Sequence, residues 1–370
     1  MRRILGLVAL CATVSALMVG AGSTPTIRQS APVAGVTLAG LDAHDGTIVD
    51  GGAGTLYLYG TRYGCGYHWQ QASSPFCGFG VWTSTTGLTG PWTYQGLLFD
   101  PNGINSTRNE PWRTTCNSGG NGCFNPRMVR RWDGVWVLYF NAPAETQRGQ
   151  NNAYYVMGCN GPTGGCGSAA GAPYGSTRKL PLNACTASGD FSIYTEAEAA
   201  WIVCSTTTIT VERLDYWWTT GTATSTAGAV RSIAYLSNVE APGLVRMPDG
   251  RYVLTYSDPT CGYCSGTGTG YITNGTGPLG VWLGPAATGF NGPANGRRLI
   301  SGTSCGGQPR TAFTVGGQPY EWIDTWQGVT DPTNQTAAGI RLEPLIPTGS
   351  YDHAADGSPW AGGFQPLLCQ

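Results

Sequence analysis

Val239-Glu240-Ala241-Pro242-Gly243-Leu244-Val245-Arg246-Met247-Pro248-Asp249-Gly250-Arg251-Tyr252-Val253-Leu254-Thr255-Tyr256 is the stretch from which the rest of the chain can be read. A carboxylate and a proline, Glu240 and Pro242, open it, and the apolar pair Leu244-Val245 follows. Pro248-Asp249-Gly250 supplies the residue types of a tight turn. Tyr252 to Tyr256 then reads as a returning strand, so the stretch predicts a β-hairpin. The same layout recurs four more times. Asp45 to Val49 leads through Gly51 to Gly54 into Leu56 to Tyr59, and Asn125 to Val129 through Asp133-Gly134 into Val135 to Tyr139. Asp190 to Tyr194 leads through Glu196 to Glu198 into Ala200 to Val203, and Gln308 to Phe313 through Gly316-Gly317 into Tyr320 to Ile323. Five imperfect hairpin repeats predict an all-β chain folded as a five-bladed β-propeller.

That register carries a functional consequence. If each unit opens the innermost strand of a blade, then Asp45, Asn125, Asp190, Glu240 and Gln308 gather near one end of the central axis. Carboxylates that converge raise one another's pKa, which is costly unless they do chemistry or bind a cation. A single Asp or Glu at a strand start is ordinary turn chemistry. Three in register across a repeat point to a site.

The N-terminus carries Arg2-Arg3, an apolar run from Ile4 to Val19 and the small residues Gly20-Ala21-Gly22. Residues 1–21 therefore read as a secretory signal peptide, residues 22–36 as a flexible, Pro-containing lead-in, and residues 37–370 as the propeller and catalytic domain. No other stretch is long and apolar enough to cross a membrane, so the expected product is secreted and extracellular. Cys11 falls inside the leader, leaving 12 of the 13 cysteines. An even number in an exported chain predicts disulfides. Near neighbours suggest Cys65 with Cys77, Cys116 with Cys123, Cys159 with Cys166, Cys185 with Cys204 and Cys261 with Cys264, leaving Cys305 for Cys369. Spacing alone does not settle connectivity, and Cys261-Gly262-Tyr263-Cys264 is also a zinc or redox spacing, without the second pair or βαβ context that either needs. With 57 glycines, a single lysine (Lys179), a formal net charge of −1 and no basic run, nucleic acid is not an expected partner. The length suits one large β domain, expected to act as a monomer.

Val239-Glu240-Ala241-Pro242 and its strand pair resemble the general-acid segment of family 43 glycoside hydrolases, most of all the branch containing exo-β-1,3-galactanases. Ala43-His44-Asp45-Gly46-Thr47-Ile48 resembles that family's first blade, where the Asp is the general base. Gly189-Asp190-Phe191-Ser192-Ile193-Tyr194 resembles the third-blade segment whose Asp modulates the acid's pKa. The similarity is patchy and runs from about residue 41 to 345. It implies a five-bladed propeller that hydrolyses glycosidic bonds with inversion, with Glu240 as acid, Asp45 as base and Asp190 as modulator. Two departures stand out. The galactanase-like branch has glycine at the position of Asp45 and uses a fifth-blade glutamine in the base's place, whereas this chain carries both Asp45 and Gln308. Its second blade carries a Glu-Arg-Pro-Lys-like motif where this chain reads Phe124-Asn125-Pro126-Arg127.

Inverting hydrolysis needs a protonated acid on the leaving oxygen and a carboxylate that activates water on the opposite face. A neighbouring charge such as Asp190 would keep Glu240 protonated, and Asp45 would take the proton from water. Gln308 is assigned to placing water or a hydroxyl. Asn125, Arg127 and Arg310 are candidates for sugar contact, with structural pairing between blades as the equal alternative for the arginines. Trp69 and Trp112, with Tyr67 and Tyr263, lie on expected rim loops and suit sugar platforms; Trp136, Trp201 and Tyr252 read as core. His44 adjoins the proposed base and suits substrate, metal or a backbone carbonyl equally. No cofactor and no catalytic metal is expected, while a central structural Ca²⁺ stays open. The expected partner is a polysaccharide or oligosaccharide, with galactan and arabinan or xylan side chains undistinguished. The alternative reading is a non-catalytic, lectin-like propeller, which would be expected to have lost one of the three carboxylates.

Overall fold

All five hairpins form, and each gains two further antiparallel strands. The protein is described from a computed structural model covering residues 34–117, 120–150, 152–167, 178–282, 299–326, 335–348 and 363–369. The expected leader, and the lead-in up to residue 33, lie outside the described residues. Blade 1 comprises His44–Asp50, Leu56–Thr61, Phe79–Ser84 and Thr93–Leu97; blade 2 comprises Phe124–Arg130, Trp136–Asn141, Tyr154–Cys159 and Arg178–Lys179. Blade 3 comprises Phe191–Glu196, Ala199–Ser205, Thr208–Arg213 and Val230–Ser237; blade 4 comprises Glu240–Arg246, Tyr252–Asp258, Gly268–Asn274 and Leu299–Ser301. Blade 5 takes Gln308–Val315, Gln318–Thr325 and Gly339–Pro344 from the end of the chain. Its fourth strand, Val36–Leu38, comes from the beginning, with Leu38 opposite Ile340. The first strands of successive blades lie side by side and the fifth meets the first, so the sheets close into a five-bladed propeller.

The second strand of each blade is buried on both faces, and strand alternation divides its side chains between two neighbours. In Trp136–Asn141, Leu138 and Phe140 pack with Tyr59, Phe79 and Val81 of blade 1. The intervening Val137 and Tyr139 pack with Phe191 and Ile202 of blade 3. The same sharing joins blades 3 and 4 through Val203, Leu244 and Leu254, and blades 4 and 5 through Val245, Val253 and Ile323. Near-continuous apolar runs such as Val135 to Phe140 are therefore what a blade strand requires. Trp136 and Tyr252 are core, as expected, and Trp201 packs partly buried against the same layer.

Six disulfides staple the loops: Cys65–Cys77, Cys116–Cys123, Cys159–Cys166, Cys185–Cys204, Cys261–Cys264 and Cys305–Cys369. The last ties the entry to blade 5 to the C-terminal segment. Among the described residues no helix is long and apolar enough to cross a membrane.

Candidate active site

A break in strand register recurs where the innermost strands begin. The ladder slips between His44 and Thr47, between Phe124 and Arg127, between Glu240 and Gly243, and between Pro309 and Thr311. Asp45 and Asn125 take left-handed backbone at φ 52° and 57°, which Asp and Asn tolerate better than most residues. In blade 4 it is Ala241, at φ 52°, that turns left-handed. Such bulges re-aim side chains at sheet ends. Gly243 completes the blade 4 bulge, since a Cβ there would stand 2.1 Å from the backbone nitrogen of Ala312 in blade 5.

The result is a cleft of about 560 Å³ over one end of the axis. Asp45, Asp190, Glu240 and Arg310 line its floor, and Tyr63, Trp69, Phe124, Tyr263 and Trp326 stand among its walls. One Arg310 Nη2 reaches Asp45 Oδ1 at 2.8 Å, Asp190 Oδ1 at 3.1 Å and Asn125 Oδ1 at 3.3 Å. Burial opposes its charge, but Asp190, Asp45, Glu240 and Asp324 together push its pKa well up, so it stays a cation. The second oxygen of Asp45 accepts the Tyr63 hydroxyl at 3.0 Å, and its backbone N–H donates to Asp324 Oδ2 at 2.8 Å. Asn125 Nδ2 holds Asp190 at 2.8 Å.

Glu240 differs from the other two. Burial raises its carboxyl pKa first and the charge of Asp190 second, to about 7, while Arg310 and nearby donors pull the other way. Its Oε1 accepts the Cys261 N–H at 2.8 Å and Gln308 Nε2 at 2.5 Å, and its Oε2 faces the Thr260 hydroxyl at 2.7 Å. With two donors on Oε1, a bound proton belongs on Oε2, beside a hydroxyl that can also accept. The Gln308 amide cannot turn round: Trp326 Nε1, a donor only, meets its Oε1 at 2.7 Å, and the Cys261 carbonyl, an acceptor only, meets its Nε2 at 3.0 Å.

Beneath the cleft Arg127 lies on the axis. Its Nη1 donates to the carbonyls of Asp45 at 2.5 Å and Gly46 at 2.8 Å in blade 1, and its Nε to Phe191 at 3.0 Å in blade 3. Its Nη2 meets Asn125 Oδ1 at 3.2 Å and the Arg310 carbonyl of blade 5 at 3.5 Å. Burial, then Arg310, lowers its pKa to about 10, which leaves it charged at neutral pH. A central Ca²⁺ would need several of these oxygens as ligands, and a guanidinium already occupies them. The residues present therefore do not fit a central Ca²⁺, and among the described residues no group of three or more His, Cys, Asp and Glu could hold a metal ion. Arg127→Met should cost about 3–5 kcal/mol, because it strips a buried cation from the carbonyls of Asp45, Gly46 and Phe191 that it satisfies. Urea unfolding checks this, with EDTA expected to leave the parent's midpoint unchanged; a variant as stable as the parent would contradict the role.

No protein-family model matches the chain, and no curated protein sequence does. Solved structures do. A variant of exo-β-1,3-galactanase from Phanerochaete chrysosporium with β-1,3-galactotriose superposes with a TM-score of 0.58 at 17% identity, over 86% of this chain and 62% of that one. The chain thus spans less than two thirds of that enzyme's length. An α-L-arabinanase from Cellvibrio cellulosa, complexed with arabinohexaose, gives 0.53 at 16% identity, over 88% and 95% of the two chains. A β-xylosidase gives 0.56 at 12%, over 89% and 98%. The chain shares the fold of these glycoside hydrolases.

The expected site residues divide by position. Asp45, Asp190, Glu240, Arg310 and Trp69 reach the cleft. Asn125, Arg127 and Gln308 are buried around it and hold other groups, so Gln308 stands behind Glu240 and not over a water site. His44 is fully buried, stacked on Tyr63 at 4.8 Å and 3.6 Å from Asp42, so it does not reach the cleft. Trp112 was expected on the rim but starts a short helix, Trp112–Thr115, and packs against Phe99, Phe140 and Tyr155. Its neighbours are apolar, and burial won.

The blade-opening pattern in the sequence does not mark Asp324, Tyr63 or Trp326. Asp324 pairs with Gln308 across the blade 5 hairpin, and burial, then the charge of Asp45, lifts its pKa to about 6. In blades 1, 2 and 4 its counterparts opposite the strand openings are Thr61, Asn141 and Ser257, a polar position visible at the second-strand ends, while blade 3 has Cys204 there. Tyr63 sits two residues beyond its blade's second strand and had no repeat to mark it.

Proposed function

We propose that this protein is a secreted, monomeric glycosidase that cleaves galactan or arabinan and xylan side chains of plant-type polysaccharides with inversion. Glu240 Oε2 gives its proton to the leaving oxygen as the glycosidic bond breaks. Asp45, held by Arg310 and Tyr63, takes a proton from the water that attacks the anomeric carbon from the other face. The net reaction adds one water across the bond and returns both carboxyls to their starting states after proton exchange with solvent. One observation carries the reading. Three blade-opening carboxyls share one cleft, and the cleft lifts Glu240 to about 7 while tying Asp45 to a guanidinium and a phenol. Such a split assigns acid and base roles. The fold shared with a galactanase, an arabinanase and a β-xylosidase supports the substrate class. The apolar leader and six disulfides support export. Gln308 and Asn125 act through others, Gln308 fixing Glu240 and Asn125 fixing Asp190.

The test is a screen of aryl galactosides, arabinosides and xylosides with purified protein. Release from at least one is expected, suppressed by Asp45→Asn and, the poorer the aryl leaving group, the more by Glu240→Gln; a flat result with retained sugar binding would favour the lectin-like alternative. The pH profile follows from the direction of the Glu240 shift. The raised pKa keeps the acid protonated below about 7, so kcat/KM should fall as pH rises through that value. A rate still flat at pH 9 would show that Glu240 is not the proton donor.

A further inference from the structure

Six large hydrophobic side chains are exposed among the described residues, and three of them, Trp132, Tyr216 and Trp217, form one cluster. Ring centroids stand 4.6 Å apart for Trp132 and Tyr216, 5.8 Å for Trp132 and Trp217, and 4.9 Å for Tyr216 and Trp217. The cluster lies at the end of the propeller opposite the cleft. Trp132 follows Phe124–Arg130, which starts at the cleft, and Tyr216 follows Thr208–Arg213, which runs in the same sense. Seven strand residues put it about 20 Å from the carboxylates.

This cluster is built, not incidental. Buried Arg131 grips Asp133 through Nε at 2.8 Å and Nη2 at 2.6 Å, and its Nη1 donates to the Trp217 carbonyl at 3.1 Å. Trp132 Nε1 donates to the Tyr216 carbonyl at 3.2 Å, tying the blade 2 turn to the blade 3 loop. Asp215 Oδ1 accepts the N–H groups of Thr219 and Thr220 at 2.6 and 3.1 Å. Trp218 is buried, with its indole on the Glu198 carbonyl at 3.0 Å. That bulky residue adopts φ 61°, a strained conformation of the kind that persists at functional sites. The loop therefore buries one of three consecutive aromatics as an anchor and presents the other two.

We propose that Trp132, Tyr216 and Trp217 form a second carbohydrate-binding platform that docks the protein on the polysaccharide while the cleft cuts it. Size and charge favour this occupant. Aromatic side chains offer about 150–250 Å² each, so exposures of 37%, 50% and 40% leave roughly 250 Å² in all, against about 800 Å² that each partner contributes to a stable protein interface. Arg131 and Asp133 neutralise each other, and the carboxylates that remain near the rings, Glu198 and Asp215 (the latter held by the Thr219 and Thr220 N–H groups), would repel an anionic partner and admit the C–H face of a neutral sugar. The hydroxyl of Tyr216 adds a polar edge. The choice of a polysaccharide rests on the proposed glycosidase reading; the existence of a prepared, exposed platform does not.

Affinity electrophoresis of the uncleaving Glu240→Gln protein in gels containing a galactan, an arabinan or a xylan tests the platform. Retardation is expected in at least one gel, with Tyr216→Ala and Trp217→Ala together weakening it at least fivefold. The same pair of changes in the active protein should leave kcat/KM on an aryl glycoside unaltered, since neither residue touches the cleft, and should leave the melting temperature near the parent's. Undiminished retardation, or no retardation in any gel, would overturn the platform, as would sedimentation showing a dimer that these changes split. Aryl glycoside hydrolysis with no such binding would remove the platform and spare the glycosidase reading. Binding lost with Tyr216 and Trp217 but no hydrolysis would do the reverse.

Discussion

Glu240→Gln is expected to lower kcat/KM on glycosides with poor leaving groups by roughly 10²–10⁴-fold, the share general acid catalysis usually supplies. The change should leave the fold intact, because the amide oxygen can take the place of Oε1 beneath the Cys261 and Gln308 donors while the NH₂ faces Thr260. What disappears is the proton. Substrates whose leaving group departs unaided, such as dinitrophenyl glycosides, should retain far more of their rate. The falling limb near pH 7 should vanish with them, since the titrating group is gone. Equal losses on good and poor leaving groups, in a folded variant, would mean that Glu240 serves some purpose other than protonation.

Asp45→Asn should suppress both substrate types by a comparable factor, because water activation is needed whatever the leaving group. The amide cannot take a proton from water, and it would present an NH₂ toward either Arg310 or the Tyr63 hydroxyl. Gln308→Ala should be milder and of a different kind. It removes one donor from Glu240 Oε1 and leaves the base untouched. Losing that donor disfavours the charged carboxylate, so the limb near pH 7 should move upward. If Asp45→Asn keeps near-normal rates while Gln308→Ala loses them, the base assignment is wrong. The protein would then work as the galactanase-like branch does, despite its extra carboxylate.

The propeller was legible because each blade repeats a hairpin, and hairpins declare themselves through local turns such as Pro248-Asp249-Gly250 and Asp133-Gly134. The floor of the cleft was legible for the same reason: Asp45, Asp190 and Glu240 stand at or beside the openings of their blades' first strands, although the pairing sets Glu240 one residue out of step with Asp45, level with His44. What escaped depends on contacts distant in sequence. Val36–Leu38 is a strand only because Gly339–Pro344 returns beside it, and no nearby turn announces it. The position of Arg127 in its blade suits sugar contact and pairing between blades equally, and its role at the axis depends on carbonyls from blades 1, 3 and 5. The loop that carries Trp112 suggests the rim, whereas its side chain answers to Phe99, Phe140 and Tyr155. The blade position of Gln308 suggests a cleft residue, and only the indole of Trp326 and the carbonyl of Cys261 reveal that its amide faces backward. Patterns place backbones; side-chain direction at a bulge is decided by the neighbouring blades.

Glu240 and Asp45, acting from opposite faces of one anomeric centre, must invert its configuration. Proton NMR of the first sugar released from a hydrolysable glycoside, recorded before mutarotation, reads that outcome. The anomer formed first should be opposite to that of the substrate, with the signal absent in Asp45→Asn. A first-formed anomer that retains the substrate's configuration would contradict it, because retention requires a carboxyl that attacks the sugar itself.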